Sequence, residues 1–236
     1  AAHLRHRDQI GGPAVTGHVH QHPAPAAAPR QVAAWRLLAT LAVAGAASGA
    51  LVVSVYRITL PAVQRYAALQ EEVAVREVLK APVRWDTLYL VNGALVAVPP
   101  DHLDRGGLPR AYLGRDAAGI RTGVAITARE PGFQEELTLM IGFDPASGAL
   151  TGIKVLDQKE TPGLGDKIET DSAFGNQFPG RLTPLTRVKV RSGGDPSEVQ
   201  IITGATISSR AVIRIVNNAV ALWQPLLVAF DRTAPR

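Results

Sequence analysis

Between Leu37 and Tyr56 the chain runs for 20 residues without one charged side chain, LLATLAVAGAASGALVVSVY. At about 1.5 Å per residue, a helix of that length reaches roughly 30 Å, the thickness of a bilayer's hydrocarbon layer. Trp35 and Tyr56 stand at its ends, where amphipathic rings favour the interface, and Arg36 and Arg57 close it on both sides. A cleaved leader is the competing reading, with Ala44-Gly45-Ala46 as a small-residue cleavage site. The 36 residues ahead of the core, and the uninterrupted core itself, are too long for a leader, so the segment reads as an anchor. Arg30 and Arg36 before the span are matched by Arg57 and Arg65 after it, so charge does not orient it.

The rest of the 236 residues is mixed in polarity. With 46% hydrophobic residues overall the chain has the apolar surface for a globular domain, which excludes both a disordered polyelectrolyte and a polytopic membrane protein. It has no cysteine, so disulfides, thiol nucleophiles, cysteine-ligated zinc and cysteine-held iron–sulfur clusters are excluded within this chain. Any redox chemistry must come from a bound organic cofactor or from another subunit. The net charge is +5, but no two Lys or Arg residues are adjacent and a nucleic-acid partner finds no support. Residues 1–34 hold five of the six histidines among Pro23, Pro25 and Pro29, and read as a disordered tail. Nothing near His18-x-His20-x-His22 fixes a metal geometry, so no metal site is assigned.

Beyond the span, Ala62, Tyr66, Leu69 and Val73 recur at the spacing of one helical face until Pro82, predicting a stalk helix. Thr87–Val91 and Ala94–Val98 flank Asn92-Gly93, a hairpin turn signal. Leu137, Leu139, Ile141 and Phe143 alternate with Thr138, Met140 and Gly142, and after turn residues Ile153–Leu156 resumes a strand. Val188 and Val190 alternate with Arg187, Lys189 and Arg191 as a half-buried strand, and Val199–Ile202 is another. Val212, Ile215, Val216, Ala219, Val220 and Trp223 trace an amphipathic helix ending near Pro225. Strands with a few helices predict an α/β (α+β) domain without internal repeats.

Two segments break this regular patterning. Glu160-Thr161-Pro162-Gly163-Leu164-Gly165 follows the strand that ends at Leu156; it is either a Pro-Gly turn or a loop shaped to let backbone approach a ligand. Thr203-Gly204-Ala205-Thr206-Ile207-Ser208-Ser209 joins a strand to the last helix. A helix start exposes free N–H groups at the positive end of its dipole, a ready site for phosphate, although Thr206 as a simple N-cap explains the same residues. Neither a G-x-x-x-x-G-K-[ST] loop nor a G-x-G-x-x-G fingerprint is present. His102 is the one histidine outside the tail and has no identifiable triad partner, so no catalytic residue is assigned.

Taken in order, the apolar span, GFQEELTLMIGFD, ETPGLGDKIE and TGATISS resemble the RnfG/NqrC type of FMN-binding subunit over most of residues 37–223. The resemblance implies FMN carried on Thr206 through a phosphoester, attached by a separate flavin transferase. It implicates Glu160, Thr161, Pro162, Gly163, Leu164, Gly165 and Lys167 beside the flavin, with Thr203, Gly204, Ala205, Ile207, Ser208 and Ser209 around the attachment. Two positions depart from the family pattern: Gln200 replaces an aspartate six residues before the acceptor, and Gln158 replaces a frequent histidine two residues before the loop glutamate. The implied organisation is a tail at 1–34, a transmembrane helix at 35–57, a stalk helix and linker at 58–84, an FMN-binding domain at 85–228 and a C-terminal tail at 229–236. The implied role is an electron relay among other membrane subunits of an ion-translocating Rnf-like or Nqr-like complex. Its flavin domain would be on the periplasmic side of the inner membrane, and "enzyme" would describe the complex more than this chain. A stand-alone flavinylated carrier or reductase, and a sensory or structural domain without flavin, which Gln200 keeps open, are the alternatives.

Overall fold

The structure is a computed structural model that describes residues 33–104 and 106–233. The tail histidines and the last three residues lie outside the described range. The chain divides into two compact units, one ending at Arg57 and the other beginning at Ile58.

In the first unit, helix α1 (Ala34–Val78) includes the whole uncharged segment and continues into the second unit. It is long and apolar enough to cross a membrane, and none of the apolar window is buried against protein. Leu38, Leu41, Val43, Leu51 and Val52 present exposed side chains on successive turns, which suits lipid and not water.

The second unit is built on a six-stranded antiparallel sheet in the order β2-β1-β3-β4-β5-β6. Its strands are β1 (Arg84–Val91), β2 (Ala94–Val96), β3 (Arg110–Arg115), β4 (Arg121–Pro131), β5 (Glu136–Phe143) and β6 (Leu150–Asp157). Asn92 and Gly93 take the left-handed backbone angles, φ 49° and 79°, of the expected two-residue turn between β1 and β2. After β6 come two short helices, α2 (Lys167–Thr170) and α3 (Ser172–Gly175). A parallel pair, β7 (Thr186–Val188) and β8 (Glu198–Gln200), precedes the long helix α4 (Thr206–Thr233). The all-antiparallel main sheet makes this an α+β domain.

Alternation along the strands sorts the two faces. Leu113, Val124, Ile126, Leu137, Leu139, Ile141 and Phe143 face one side and pack against Val212, Ile215, Val216, Ala219, Val220 and Trp223 of α4. Tyr112, Ala125 and Met140 face the other and pack against Ala74, Val75, Val78 and Leu79 at the end of α1. That second contact is close because the sheet is bare beneath it. A Cβ at Gly114 would lie 2.8 Å from Leu79, and one at Gly142 would lie 2.7 Å from the Val78 carbonyl. Glu71 adds a polar clamp on the same side, accepting Nε and Nη2 of Arg110 at 3.2 and 2.8 Å.

Several expectations are corrected. The stalk's predicted stripe, with Tyr66, Leu69 and Val73, is exposed; the buried side is a second apolar stripe, Ala74, Val75, Val78 and Leu79 at i, i+1, i+4, i+5, which sits on the glycine floor of the sheet. The strand expected through Val190 stops at Val188, where its pairing to β8 ends, and Val190 is exposed. Helix α4 does not end at Pro225. A mid-helix proline loses one hydrogen bond and crowds the preceding turn. Here Trp223 and Leu227, both buried, hold the helix against the core across it, so residues 229–233 of the expected tail are helical. Strands β3 and β4, which the apolar patterning did not reveal, form the middle of the sheet.

Candidate functional site

The strand-to-helix junction is fixed by Ser209. Its buried hydroxyl donates to the Ala205 carbonyl at 2.8 Å and accepts the Ile202 N–H at 3.1 Å, tying the strand exit to the first helical turn. Gly204 sits at φ 87°, in the left-handed region that glycine occupies without strain, and turns the chain into the helix. Thr206 is therefore the first residue of α4 and not its cap. Among the described residues its hydroxyl has no hydrogen-bond partner, and no acceptor reaches the N–H groups of Thr206, Ile207 and Ser208. Three free donors and one free hydroxyl thus stand at the positive end of a 28-residue helix.

The Glu160–Gly165 loop is brought against this turn by Glu160. That side chain is 5% exposed, yet its oxygens are supplied with donors. Oε1 accepts the Phe133 N–H at 2.7 Å and the Gln134 N–H at 3.4 Å, and Oε2 accepts the Ser208 hydroxyl at 2.7 Å. One buried carboxylate therefore links the β4–β5 turn, the loop after β6 and the first turn of α4. Such a group is stable only when hydrogen-bonded throughout. Gly165 permits the approach: a Cβ there would lie 2.7 Å from Glu160 Oε2 and 2.9 Å from Ser208 Oγ. The loop then winds tightly, with Leu164 N–H and Gly165 N–H both donating to the Thr161 carbonyl at 3.1 and 2.9 Å. Gln134 Nε2 donates to the Thr161 hydroxyl at 2.9 Å.

These contacts leave a cleft of about 280 Å³ lined by Phe133, Thr161, Leu164, Gly165, Gly204, Ala205, Thr206, Ile207 and Ser208. Its rim is apolar and open to solvent: Phe133, Leu164 and Ile207 are 56, 49 and 53% exposed. A planar apolar ring has a surface to lie on there, and a phosphate has donors beneath it.

Of the residues expected from sequence, Thr161, Leu164, Gly165, Gly204, Ala205, Thr206, Ile207 and Ser208 line the cleft. Glu160 and Ser209 lie under it as supports. Pro162, Gly163, Lys167 and Thr203 do not line it; Lys167 opens the short helix α2. Gln200, in β8, does not line the cleft; its backbone N–H donates to the Gln177 side-chain oxygen at 2.9 Å and its carbonyl accepts the Gln177 amide at 3.1 Å. Phe133 is a lining residue that sequence reasoning passed over, although Gly132-Phe133 opens one of the segments carrying the resemblance.

The FMN-binding domain family matches residues 132–221, which contain the cleft. The RnfG-type subunit of the ion-translocating oxidoreductase complex of Methanosarcina acetivorans is 31% identical over 190 residues, covering 78% of this chain and 92% of that protein. Its counterpart in Escherichia coli K12 is 30% identical, with 79 and 89% coverage. Among solved structures, NqrC of Shewanella oneidensis aligns with a TM-score of 0.53 at 17% identity, over 65% of this chain and 92% of that one, a likeness of fold.

Proposed function

Because the chain belongs to the RnfG family of ion-translocating oxidoreductase complexes, we propose that it is a membrane-anchored electron-transfer subunit holding FMN as a phosphoester of Thr206. The observation that carries the reading is the unpartnered Thr206 hydroxyl among the free N–H groups of the first turn of α4, inside the matched domain. A phosphodiester there has its negative charge met by those donors and by the helix dipole. The residues fit the group in both halves: donors for the phosphate, and Phe133, Leu164 and Ile207 as an apolar bed for the ring. When bound, the flavin supplies one- and two-electron chemistry. The protein's part is to hold it. Ser208, Glu160 and the Phe133 N–H fix the spacing between turn and loop, and Ser209 fixes the turn to the strand. A covalent link keeps the cofactor from dissociating where free flavin is dilute.

In this reading the uncharged part of α1 spans the inner membrane as a single pass, the stretch from Ile58 to Arg84 is stalk and linker, and the FMN domain is periplasmic. The electron-exchange partners are other membrane subunits of an Rnf-like or Nqr-like complex, and a flavin transferase matures the chain. Intact-mass measurement of full-length protein from its native host is expected to show one added FMN, located at Thr206 by peptide fragmentation. Thr206→Ala removes the addition and the flavin fluorescence of the denatured band while leaving the fold unchanged. Native-host protein of unmodified mass overturns the reading.

A further inference from the structure

From Ser172 to Phe230 the sequence has six basic residues and only two acidic ones, Asp195 and Glu198. Both acids are occupied locally. Glu198 accepts the N–H and hydroxyl of Ser192 at 2.7 and 2.9 Å, and Asp195 accepts the Ser197 N–H at 2.7 Å.

The fold gathers three of the basic residues around an open groove of about 540 Å³ between β7 and α4, walled by Arg187, Arg210 and Arg214 over Leu185, Ile213 and Asn217. The floor is fixed. Asn217 accepts the Leu185 N–H at 2.6 Å and returns a hydrogen bond to its carbonyl at 2.9 Å, and Leu185 and Ile213 are buried. Arg214 is held too, donating to Glu130 at 3.2 Å and to the Pro131 carbonyl. Arg187 and Arg210 are not. Both are exposed, and among the described residues neither has a carboxylate within ion-pair distance. Arg210 lies four residues after Thr206, on the same face of α4 one turn along.

We propose that this groove docks the acidic surface of a redox protein that exchanges electrons with the group on Thr206; the inference rests on that Thr206 reading. Guanidinium forks match carboxylates bidentately, and two free forks over an ordered floor give a protein surface both charge and shape to recognise. A partner seated there has its edge about one helical turn from the attachment point.

The test uses flavin-loaded full-length protein in detergent, with reduced flavodoxin, a small acidic electron carrier, as the probe. The second-order rate of flavin reduction is expected to fall with rising salt. Arg187→Glu with Arg210→Glu slows it by at least about tenfold at low salt and reverses the salt slope, while Arg187→Gln with Arg210→Gln gives an intermediate loss. Flavin content by mass, and reduction by photoreduced deazariboflavin, a neutral donor, are unchanged in both variants. Equal flavodoxin rates in wild type and variants with full flavin content overturn the docking proposal. So does charge-sensitive binding to phosphatidylglycerol vesicles without any effect on flavodoxin, which would make the groove a lipid site. Protein that carries no flavin at all defeats the Thr206 reading, and the docking proposal with it.

Discussion

Glu160 joins all three segments that form the cleft, and its removal can be costed. Two short bonds, from Phe133 N–H and the Ser208 hydroxyl, both at 2.7 Å, end on a carboxylate that is 5% exposed. Hydrogen bonds to charged groups contribute about 1.5–3 kcal/mol each, which puts the pair at roughly 3–6 kcal/mol. The Gln134 N–H at 3.4 Å adds little. Glu160→Ala is therefore expected to destabilise the unit that begins at Ile58 by about 4 kcal/mol, read from urea unfolding followed by circular dichroism. Glu160→Gln keeps one oxygen for the Phe133 N–H and turns an amide toward Ser208 Oγ, so its cost is about 1 kcal/mol. Glu160→Ala and Ser208→Ala remove the two ends of one bond, so the double variant falls short of the sum of the singles by about 2 kcal/mol. Equal losses for Gln and Ala, or strict additivity in the cycle, would refute the assignment of the linkage to these hydrogen bonds.

Two further outcomes are expected. Gly142→Ala pushes a methyl group to 2.7 Å from the Val78 carbonyl and against Thr151; it should cost about 1–3 kcal/mol in unfolding experiments and expose the end of α1 to proteolysis. The Asp144 carboxyl is held below its ordinary value, first by the Ser147 hydroxyl at 2.6 Å and then by the N–H groups of Ala146 and Ser147 and the charge of Arg121. Its folded pKa is depressed, so its contribution is present above the unfolded value of about 3.9 and is lost as pH falls through the folded value. The stability gap between wild type and Asp144→Asn should be open at neutral pH and close below about pH 4, by thermal melts across that range.

The parts of the fold that were legible in the sequence are those whose cause is local. Asn92-Gly93 dictates its own turn, and the alternation from Leu137 to Phe143 needs only its own pleat. The start of α4 near Thr206 was legible because Gly204 and the apolar period from Val212 mark it locally, although local chemistry alone reads Thr206 as the helix cap. What stayed hidden depends on distant partners. Phe133 joins the cleft because Glu160, 27 residues on, accepts its N–H. The stalk carries two apolar stripes, and which of them is buried, Ala74, Val75, Val78 and Leu79, depends on the bare glycine patch of the sheet it meets. Pro225 argues for a helix end by local chemistry alone, and is overruled by what Trp223 and Leu227 bury.

The bare patch of sheet under Val78 and Leu79 also locks the end of α1 to the domain it enters. With a residue backbone pressed against glycine, there is no slack for the last turns of α1 to rock, and the Ala81 N–H closes back onto the Arg76 carbonyl. The grip begins one turn earlier still, at Glu71, which takes two hydrogen bonds from Arg110. The latch also grips the side of the sheet that α4 does not use, so the tether does not compete with visitors for the ground around Thr206.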